Sequence, residues 1–292
     1  MPIFCGIEGV KHKISGLHTG VDGVKHEMTE MWAAENGVKK KIYQASPYNP
    51  ILENNSWEII KQASEEGVAS SVWSIGDSKT VKLNGRVGNL NLSGYYECYI
   101  IGFDHNESVE GKGIHFQFGR LSENDNDIAF IDSDYPSLSS SGFVMNTQPN
   151  NIGGWASSHM RTIICTKFLN LLPDELQTAI SPCKKYTDNV GGGSSSSAIT
   201  STEDKIFLPS EFEIFGKISI SNPNEAEKQS QYEYYKTPGR ITRHSHLDGT
   251  TAVDCWLRSP RASDGFAMIE RGGYSWWHYA NRSKAFSPIF KI

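Results

Sequence analysis

The sequence predicts an α+β fold with mainly antiparallel strands, preceded by a series of short β-hairpins. Two observations predict it: segments with strand-type alternation flank two central helical segments, and a short motif occurs three times near the N-terminus. The 292 residues, 38% hydrophobic and 11% aromatic, suffice for a smaller module and a packed domain of about 200 residues. We therefore expect an ordered protein rather than a disordered one.

A six-residue motif near the N-terminus recurs at intervals of fourteen residues. Its three copies are Gly9–Ile14, Gly23–Met28 and Gly37–Ile42. The residues before the three glycines are Glu8, Asp22 and Asn36, and Asp-Gly and Asn-Gly are typical of two-residue hairpin turns. Apolar and polar residues alternate after each glycine, as they do in strands. Residues 1–43 are therefore predicted to form three short hairpins.

Hairpins of this size cannot bury a core alone, so they must pack against something larger. One interpretation is a short β-meander packed on the domain of the same chain. The other is an attachment and oligomerisation module, because the motif resembles short Gly-Val-x-Lys repeats in structural proteins of phage tails. Residues 44–70 are predicted to be a connector, with a helix from about Trp57 that ends at Gly67.

Residues 71–292 contain the patterns that predict the main domain. Strand-like segments are residues 72–77, 80–85, 97–104, 114–119, 184–187, 204–210, 231–235, 255–260, 265–269 and 288–292. Helical spacing predicts one helix over about 154–168 and a second from Pro173 through Ile180. The glycine- and serine-rich run 191–197 lacks the lysine of a phosphate-binding loop and is predicted to be a flexible surface loop.

Several motifs between residues 70 and 292 carry a family resemblance. They are Trp73–Gly76, Gly153–Arg161, Asp204–Leu208, Gln231–Tyr235, Cys255–Pro260 and Pro288–Phe290. They resemble an uncharacterised domain family of gut bacteria and phages that contains the string Trp-Leu-Arg-Ser-Pro. That family is similar to the C-type-lectin-fold variable proteins of diversity-generating retroelements and to the formylglycine-generating enzymes. The resemblance implies a C-type-lectin-like ligand-binding domain over residues 71–292.

The segment Glu270–Ser283 concentrates aromatic, His, Asn, Ser and Arg side chains between two apolar strands. This mixture is typical of a binding surface, because Tyr and Trp supply rigid contact area while Ser and Asn adapt their hydrogen bonds. The alternative is an ordinary loop whose two tryptophans pack inward. The predicted ligand-binding residues are Arg261, Ser263, Asp264, Arg271, Tyr274, Ser275, Trp276, Trp277, His278, Tyr279, Asn281, Arg282 and Ser283. Retroelement-diversified proteins carry their randomised residues at this place, so the resemblance raises diversification as a hypothesis.

Other conspicuous residues are given structural roles. Trp256 is predicted to lie in the core, and Arg258 beside it to organise internal hydrogen bonds. Trp155 and Arg161 receive the same interpretation.

No cofactor and no metal are predicted. Gln148–Asn150 matches the letters of the calcium motif of sugar-binding C-type lectins, but it precedes the first predicted helix and no Trp-Asn-Asp follows. Asn124–Asp127 and Asp132–Asp134 are acidic but lack the glycine and terminal glutamate of an EF-hand, so they are interpreted as loops. His244 and His246 have no further ligand at zinc-site spacing.

Composition excludes several classes of protein. The net charge of −5 without a basic stripe disfavours nucleic acid as a partner. Five widely spaced cysteines without a CxxC pair are interpreted as reduced thiols of a protein made in the cytoplasm. Neither a signal peptide nor a membrane span is predicted. Since no catalytic motif emerges, we do not expect an enzyme.

These observations predict a phage or prophage receptor-binding protein of the tail tip or fibre, located in the virion after assembly in the host cytoplasm. Its expected partners are a bacterial surface protein or glycan and, through the N-terminal repeats, other tail proteins. Resemblance to tail proteins implies a homotrimer. The alternative is a structural virion or baseplate component that binds no receptor.

Overall fold

The computed structural model of the chain describes residues 46–120, 125–132, 143–262 and 264–292, together with six strands within residues 1–45. Of the side chains before residue 46, only those of Glu30–Trp32 are described. The chain divides into two compact units, Met1–Asn49 and Pro50–Ile292.

The first unit contains three antiparallel hairpins, in which β1 pairs with β2, β3 with β4 and β5 with β6. The strands are β1 (Phe4–Ile7), β2 (Val10–Lys13), β3 (His18–Val21), β4 (Val24–Glu27), β5 (Glu30–Glu35) and β6 (Val38–Gln44). The innermost pairs are Ile7↔Val10, Val21↔Val24 and Glu35↔Val38. Each copy of the sequence repeat therefore supplies the second strand of one hairpin.

The second unit mixes helices and strands, and with 25% of the structure helical and 32% in strands the α+β class is confirmed. Its α-helices are α1 (Trp57–Glu65), α2 (Ala69–Val72), α3 (Glu107–Glu110), α4 (Gly154–Ser157), α5 (Thr166–Leu169), α6 (Asp174–Ala179) and α7 (Glu211–Phe215). A π-helical segment covers Met160–Cys165, and 3₁₀ helices cover Leu52–Asn54, Ser196–Ala198, Pro223–Lys228 and Glu233–Lys236.

The strands of the second unit form several small sheets. They are β7 (Ser78–Leu83), β8 (Arg86–Val87), β9 (Leu90–Asn91), β10 (Gly94–Phe103), β11 (Ile114–Arg120), β12 (Ile128–Ala129), β13 (Cys183–Asp188), β14 (Ile199–Asp204), β15 (Arg243–Ser245), β16 (Ala252–Val253), β17 (Cys255–Arg261), β18 (Gly265–Ile269), β19 (Ser275–Tyr279) and β20 (Ile289–Lys291). The largest sheet is antiparallel with the order β20-β11-β10-β7, so a late strand pairs with early ones. A three-stranded antiparallel sheet has the order β17-β18-β19, which makes β19 an edge strand.

An aromatic core lies against the four-stranded sheet. Phe116 stacks on Phe290 with ring centroids 5.3 Å apart, and Trp57 of α1 packs edge-to-face on Phe116 at 5.6 Å. Phe168 of α5 contacts Phe118 at 5.2 Å. All five aromatic side chains are buried, and such edge-to-face and offset contacts add to the free energy gained by burial.

Capping residues set the bounds of the helices that matter for this core and for the site. The Ser56 side chain accepts a hydrogen bond from the Ile59 N–H. Ser56 is therefore the N-cap, and α1 begins at the next residue, Trp57. After α1, Gly67 adopts a φ of +68°, a conformation that favours glycine, and the predicted stop is confirmed. Ser210 and Glu213 form a reciprocal capping box that fixes α7, and Gly216 ends it in the left-handed conformation.

Three predicted strands are wrong. Residues 72–77 instead complete α2 and form a turn before β7. The strand expected over 204–210 is replaced by β14, which ends at Asp204. Its position follows from its pairing, since Ile199–Asp204 pairs with Cys183–Asp188 in a hairpin. The alternating run Gln231–Tyr235 leads into a 3₁₀ helix over Glu233–Lys236. The helix predicted over 154–168 is present as three short helical segments.

Four of the five cysteines lie among the described side chains, and all four are free and buried: Cys98, Cys165, Cys183 and Cys255. The side chain of Cys5 lies outside the described part. Among the described residues, no helix combines the length and the apolar character that crossing a bilayer requires.

Candidate functional site

The segment predicted to bind a ligand contains the edge strand β19, not a loop between strands. Met268 stands opposite Trp276, and Phe266 stands opposite His278, in the β18–β19 register. Because side chains alternate along a strand, Trp276 and His278 share one face of the sheet. Ser275, Trp277 and Tyr279 occupy the other face. The loop interpretation with two inward tryptophans is wrong, since Trp276 is 51% exposed.

One face of the strand forms an open depression of about 350 Å³. Its lining residues are Asp254, Met268, Glu270, Arg271, Tyr274, Trp276, His278 and Lys284. We call it the Trp276 depression. Its aromatic side chains project to solvent, since Tyr274 is 55% exposed and Trp276 is exposed to a similar degree.

Charged groups of both signs border the Trp276 depression. Lys284 Nζ lies 2.9 Å from Asp254 Oδ2, and Arg271 Nε lies 3.5 Å from Glu270 Oε1. Burial lowers the pKa of His278, and its Nδ1 accepts a hydrogen bond from the Tyr279 N–H at 2.8 Å. The depression therefore combines aromatic surface with paired charges and an imidazole, which suits a ligand with an apolar face and polar substituents.

The opposite face of β19 carries a stacked arrangement of three predicted residues. The guanidinium carbon of Arg261 lies 3.4 Å from the centroid of the Trp277 ring, a cation–π contact. Trp277 and Tyr279 pack edge-to-face with centroids 5.5 Å apart. Asp264 Oδ1 lies 3.4 Å from Arg261 Nη1 and pairs with the guanidinium. Arg261, Asp264, Trp277 and Tyr279 thus form a second contact area at one end of the β17-β18-β19 sheet.

The remaining residues that were predicted to bind a ligand are less exposed to solvent. Ser275 is half-buried, and its Oγ donates to Glu211 Oε1 at 2.6 Å. Asn281 and Arg282 are half-buried just after the strand. Ser283 is buried, and its Oγ donates to Asp132 Oδ1 at 3.3 Å. Its side chain therefore does not lie on the surface, contrary to the prediction that it contacts a ligand. Ser263 lies outside the described residues.

Three buried glutamates behind the sheet hold the strands of the site. Glu211 of α7 accepts from Ser275 of β19, as described above, and from the backbone N–H groups of residues 219–221. Glu213 receives two hydrogen bonds from the Arg258 guanidinium, one of them 2.8 Å long. Glu225 accepts from Ser259 Oγ and, at 3.0 Å, from the Asp188 N–H. Both β17 and β19 are therefore anchored from the interior by charge-assisted hydrogen bonds.

Arg258 and Trp256 have the internal roles predicted for them. Arg258 is fully buried and also donates to Thr187 Oγ1 at 2.9 Å and to the Leu208 carbonyl at 2.8 Å. Trp256 is fully buried and donates its Nε1–H to the Phe143 carbonyl at 2.9 Å. In the same manner the buried Trp155 donates to Asp204, which also pairs with Arg161.

The Arg258–Glu213 pair continues into a buried charge cluster. Lys185 Nζ lies 3.1 Å from Glu213 Oε1 and 2.6 Å from Glu110 Oε2, and it also donates to Tyr232 Oη at 3.0 Å. Burial alone would raise the pKa of Glu213, but the charges of Arg258 and Lys185 outweigh burial and hold that pKa well below its usual value. Two carboxylates and two cations therefore balance each other in the interior.

Three of the residues weighed as calcium or zinc ligands in the sequence have other partners. His246 Nδ1 accepts from the Ile131 N–H at 3.2 Å, and burial lowers the pKa of His246 to about 4. Asn126 donates to the Gly249 carbonyl at 2.9 Å. Asn150 accepts at its carbonyl from Asn146 Nδ2 at 2.7 Å. These side chains stabilise loops in the part of the chain that the structure describes.

Sequence reasoning missed four residues that line the Trp276 depression: Asp254, Met268, Glu270 and Lys284. Glu270 could have been found, because it continues the alternation of β18 on the face of Met268. Asp254 and Lys284 stand thirty residues apart and meet only in the folded chain, so no local pattern indicates them.

The fold and site define an α+β protein with an aromatic edge strand anchored on buried glutamates. A family model described as a domain of unknown function, DUF6273, matches residues 129–292. The match covers more than half of the chain, and the chain therefore belongs to this family. It includes all of β13 to β20 and thus the whole candidate site. No curated protein and no solved structure matches the chain.

Proposed function

We propose that the chain is a receptor-binding protein of a phage or prophage tail, which binds a bacterial surface protein or glycan through β19 and the residues around it. The observation that carries the proposal is the edge strand with aromatic side chains exposed on both faces. Tyr274 and Trp276 border one face, and Trp277 and Tyr279 lie on the other. The proposal assigns no catalytic step to this surface.

Clustered exposed aromatic residues support a binding role. Scattered exposed hydrophobic residues are normal, but a contiguous group with polar neighbours marks an interaction site. The rotamers of large aromatic side chains lose little entropy on binding, so they contribute much contact area at low cost. The hydrogen bonds to Glu211 and Glu225 keep the supporting strands rigid, which further favours binding.

The C-type-lectin-like fold is part of the proposal. It is supported by the sequence resemblance and by the position of the candidate site in the sheet that precedes the last strand, β20. In the proteins that the chain resembles, the variable residues occupy this same place before the last strand.

The hairpin unit is proposed to attach and oligomerise the protein, as a homotrimer. Three copies of one weak site on a shared stalk bind a cell surface more tightly than one copy, without any new contact. In all three hairpins the innermost paired residues are three positions apart, so the hairpins present equivalent strands. This repetition supports repeated contacts with neighbouring chains or with other tail proteins.

The surface is also proposed to be diversified. Tyr274 lies just before the edge strand β19, and His278 and Tyr279 belong to it, so replacing their side chains removes few core contacts and leaves the backbone ladder to β18 intact. Sequencing the gene from many particles of one population tests this directly. Substitutions concentrated at residues 274–282 would support diversification, and an even distribution along the chain would contradict it.

Binding of the purified full-length protein to a panel of candidate host cells tests the main proposal. One variant carries Tyr274, Trp276 and His278 all changed to alanine, and a second carries Trp277 and Tyr279 changed to alanine. The matched control is Tyr95→Ala, which removes an aromatic side chain 68% exposed on β10, in the other sheet. Far-UV circular dichroism and oligomeric mass confirm that each variant folds and assembles as wild type does.

Loss of cell binding in either site variant, with binding kept by Tyr95→Ala, is the expected result. It would also show which face of β19 contacts the receptor. If all the variants bind like wild type, the receptor site lies elsewhere on the protein. If wild type binds no cell in the panel, the proposal fails in favour of a structural virion component.

A further inference from the structure

A second cluster of chemically active side chains lies away from β19, in the interior beside α3. Glu110, at the end of that helix, is surrounded by three potential metal ligands. His105 Nε2 lies 3.8 Å from Glu110 Oε1, and His115 Nε2 lies 3.7 Å from Glu110 Oε2. Cys183 Sγ lies 3.3 Å from Glu110 Oε2. All four side chains are buried.

Two nitrogen atoms in this cluster have no hydrogen-bond partner in the part of the chain that the structure describes. They are His105 Nε2 and His115 Nε2, both shielded from solvent. Buried polar atoms are nearly always satisfied, so each such atom requires an explanation. Each nitrogen faces one oxygen of the same carboxylate, and a cation bound beside Glu110 Oε2 would give His115 Nε2 a partner.

The surroundings of His115 fit the role of a metal ligand. Its Nδ1 lies 2.9 Å from Tyr232 Oη. A ligating histidine usually donates its other ring N–H to an oxygen, which fixes the ring and leaves the first nitrogen free to bind the metal. Tyr232 Oη is held in turn by Lys185 Nζ at 3.0 Å, so the hydrogen-bond acceptor for His115 is itself fixed.

The set of donors and their spacing indicate the kind of metal. The ligand atoms of Glu110, His115 and Cys183 all lie within 4.8 Å of one another. Zinc binds Cys, His and carboxylate ligands at about 2.0 to 2.3 Å, which places neighbouring ligand atoms of a tetrahedron roughly 3.3 to 3.7 Å apart. The observed contacts of 3.3 and 3.7 Å to Glu110 match this spacing. Oxygen-only cations such as calcium would not choose a thiol and imidazoles.

Two cations in the described cluster approach Glu110: Lys185 Nζ lies 2.6 Å from its Oε2, and Lys291 Nζ donates to its backbone carbonyl at 2.6 Å. Of these two, only Lys185 contacts the carboxylate. A bound metal would compete with it for that oxygen. Lys185 has a second carboxylate, Glu213, at 3.1 Å, and keeps that partner when Glu110 turns toward the metal. The cluster can therefore exchange one charge interaction for another without leaving Lys185 unpaired.

We propose that Glu110, His115 and Cys183 bind a zinc ion in the interior of this protein. The ion has a structural role, because the site is enclosed and lies apart from β19. It ties α3 and the start of β11 to Cys183 of β13, which lies 73 residues after Glu110.

Cobalt(II) titration of the EDTA-treated full-length protein tests the proposal. Cobalt replaces zinc in such sites, and a bound thiolate gives an intense charge-transfer absorption that imidazoles and carboxylates alone do not give. We expect this absorption to saturate at about one cobalt per chain and to disappear when zinc is added. Wild type without this absorption overturns the proposal, whether or not any variant folds.

The Cys183→Ser variant removes the thiolate with little change in size, and the matched control is Cys165→Ser, a second buried thiol in the π-helical segment. We expect mass spectrometry of the native protein to find about one zinc per chain in wild type and in Cys165→Ser. For Cys183→Ser and for His115→Gln we expect at least a tenfold weaker retention of zinc against a chelator. Equal zinc retention in wild type and Cys183→Ser contradicts the assignment of these ligands.

Discussion

Arg258 illustrates how a single buried residue supports the binding surface. It is fully buried in β17, and its charge is matched by Glu213 of α7. A paired buried charge adds little net stability, but removing one partner leaves the other uncompensated in the interior. The predicted role of Arg258 in internal hydrogen bonding thus has a large energetic consequence for the fold.

We expect Arg258→Met to lower the free energy of unfolding by about 3 to 5 kcal/mol, because Glu213 is left without its bidentate partner. Urea denaturation followed by circular dichroism measures this quantity. Lys236→Met is the control, since the Lys236–Glu233 pair is exposed and such pairs contribute roughly 1 kcal/mol or less. Similar losses in the two variants would contradict the importance assigned to burial.

Glu225 is predicted to make stability depend on pH. Burial raises the pKa of Glu225 to about 7, against 4.5 for a free side chain. Between these values the folded protein holds a proton that the unfolded chain has lost, so stability is highest below about pH 4.5 and falls as the pH rises through 7. The total loss from this residue is roughly 3 kcal/mol.

The Glu225→Gln variant tests this pH dependence, because glutamine keeps an acceptor for the Asp188 N–H and never ionises. We expect its free energy of unfolding, relative to wild type, to increase from pH 5 to pH 8. The exposed Glu227→Gln in the same 3₁₀ helix serves as control and should leave the wild-type profile unchanged. A profile of Glu225→Gln that parallels wild type would exclude Glu225 as the titrating group.

At the level of secondary structure elements, β19 depends on the close approach of β18. A Cβ atom added at Gly265 would lie 2.2 Å from the carbonyl oxygen of His278 and 3.0 Å from Trp277 Cε3. Glycine is therefore required for the two strands to pair at this position. Gly265 contacts no ligand in the proposed site, but its lack of a side chain lets β19 lie close to β18 and so determines the geometry of the site.

We expect Gly265→Ala to displace the end of β19 and to weaken cell binding at least tenfold, with a smaller effect on global unfolding. The Arg261–Trp277 stack should be lost with it, which fluorescence of the tryptophans can report. Gly193→Ala is the control, because a Cβ there meets no atom within 4 Å. Wild-type binding by Gly265→Ala would mean that the receptor does not contact β19.

Local pattern predicted the elements whose partners are close in sequence. The sequences of β17 and β18 are largely apolar and are bounded by turn residues, and this pattern predicts both strands correctly. The Gln231–Tyr235 run also looks like a strand, yet Tyr232, Tyr234 and Tyr235 are all buried, so the segment packs on several sides instead of alternating. Tertiary packing overrides propensity in such a case.

The candidate surface was largely predictable, whereas the buried clusters were not. Aromatic and polar residues crowd together between residues 270 and 283, so the sequence itself indicates a surface. Glu110, Lys185 and Glu213 stand in three separate segments, each among ordinary polar neighbours. Only the fold brings Lys185 Nζ within 3.1 Å of both carboxylates, and a sequence pattern cannot show a contact of that kind.

At the scale of the whole molecule, the two compact units suggest separate tasks. The second unit holds the aromatic core, the buried charge cluster and the candidate site, all within Pro50–Ile292. The hairpins of the first unit pair only with their own partners in the described register. Stability of the domain should therefore depend on the second unit, and assembly on the first.

We expect a variant that lacks residues 1–49 to remain folded but to be monomeric, and we expect the full-length protein, as the proposed homotrimer, to have three times the monomer mass. Sedimentation velocity measures both masses, and cell binding by the shortened variant should weaken at least a hundredfold through loss of avidity. A full-length protein that sediments as a monomer would contradict the trimer. An unchanged mass after the deletion would move the oligomer contacts to the second unit.

The pairing of β20 with β11 also determines when the domain can fold during synthesis. The Ser64 hydroxyl donates to the Ile292 carbonyl at 2.7 Å across 228 residues, and β20 closes the edge of β11. At 5 to 20 residues per second, a ribosome needs roughly 10 to 35 s to make the chain between β11 and β20. For that time the aromatic face of β11 lacks Phe290, on which Phe116 stacks, and its edge lacks β20. Folding is therefore completed only after residue 292 has left the ribosome, and nascent chains would need protection from association with one another.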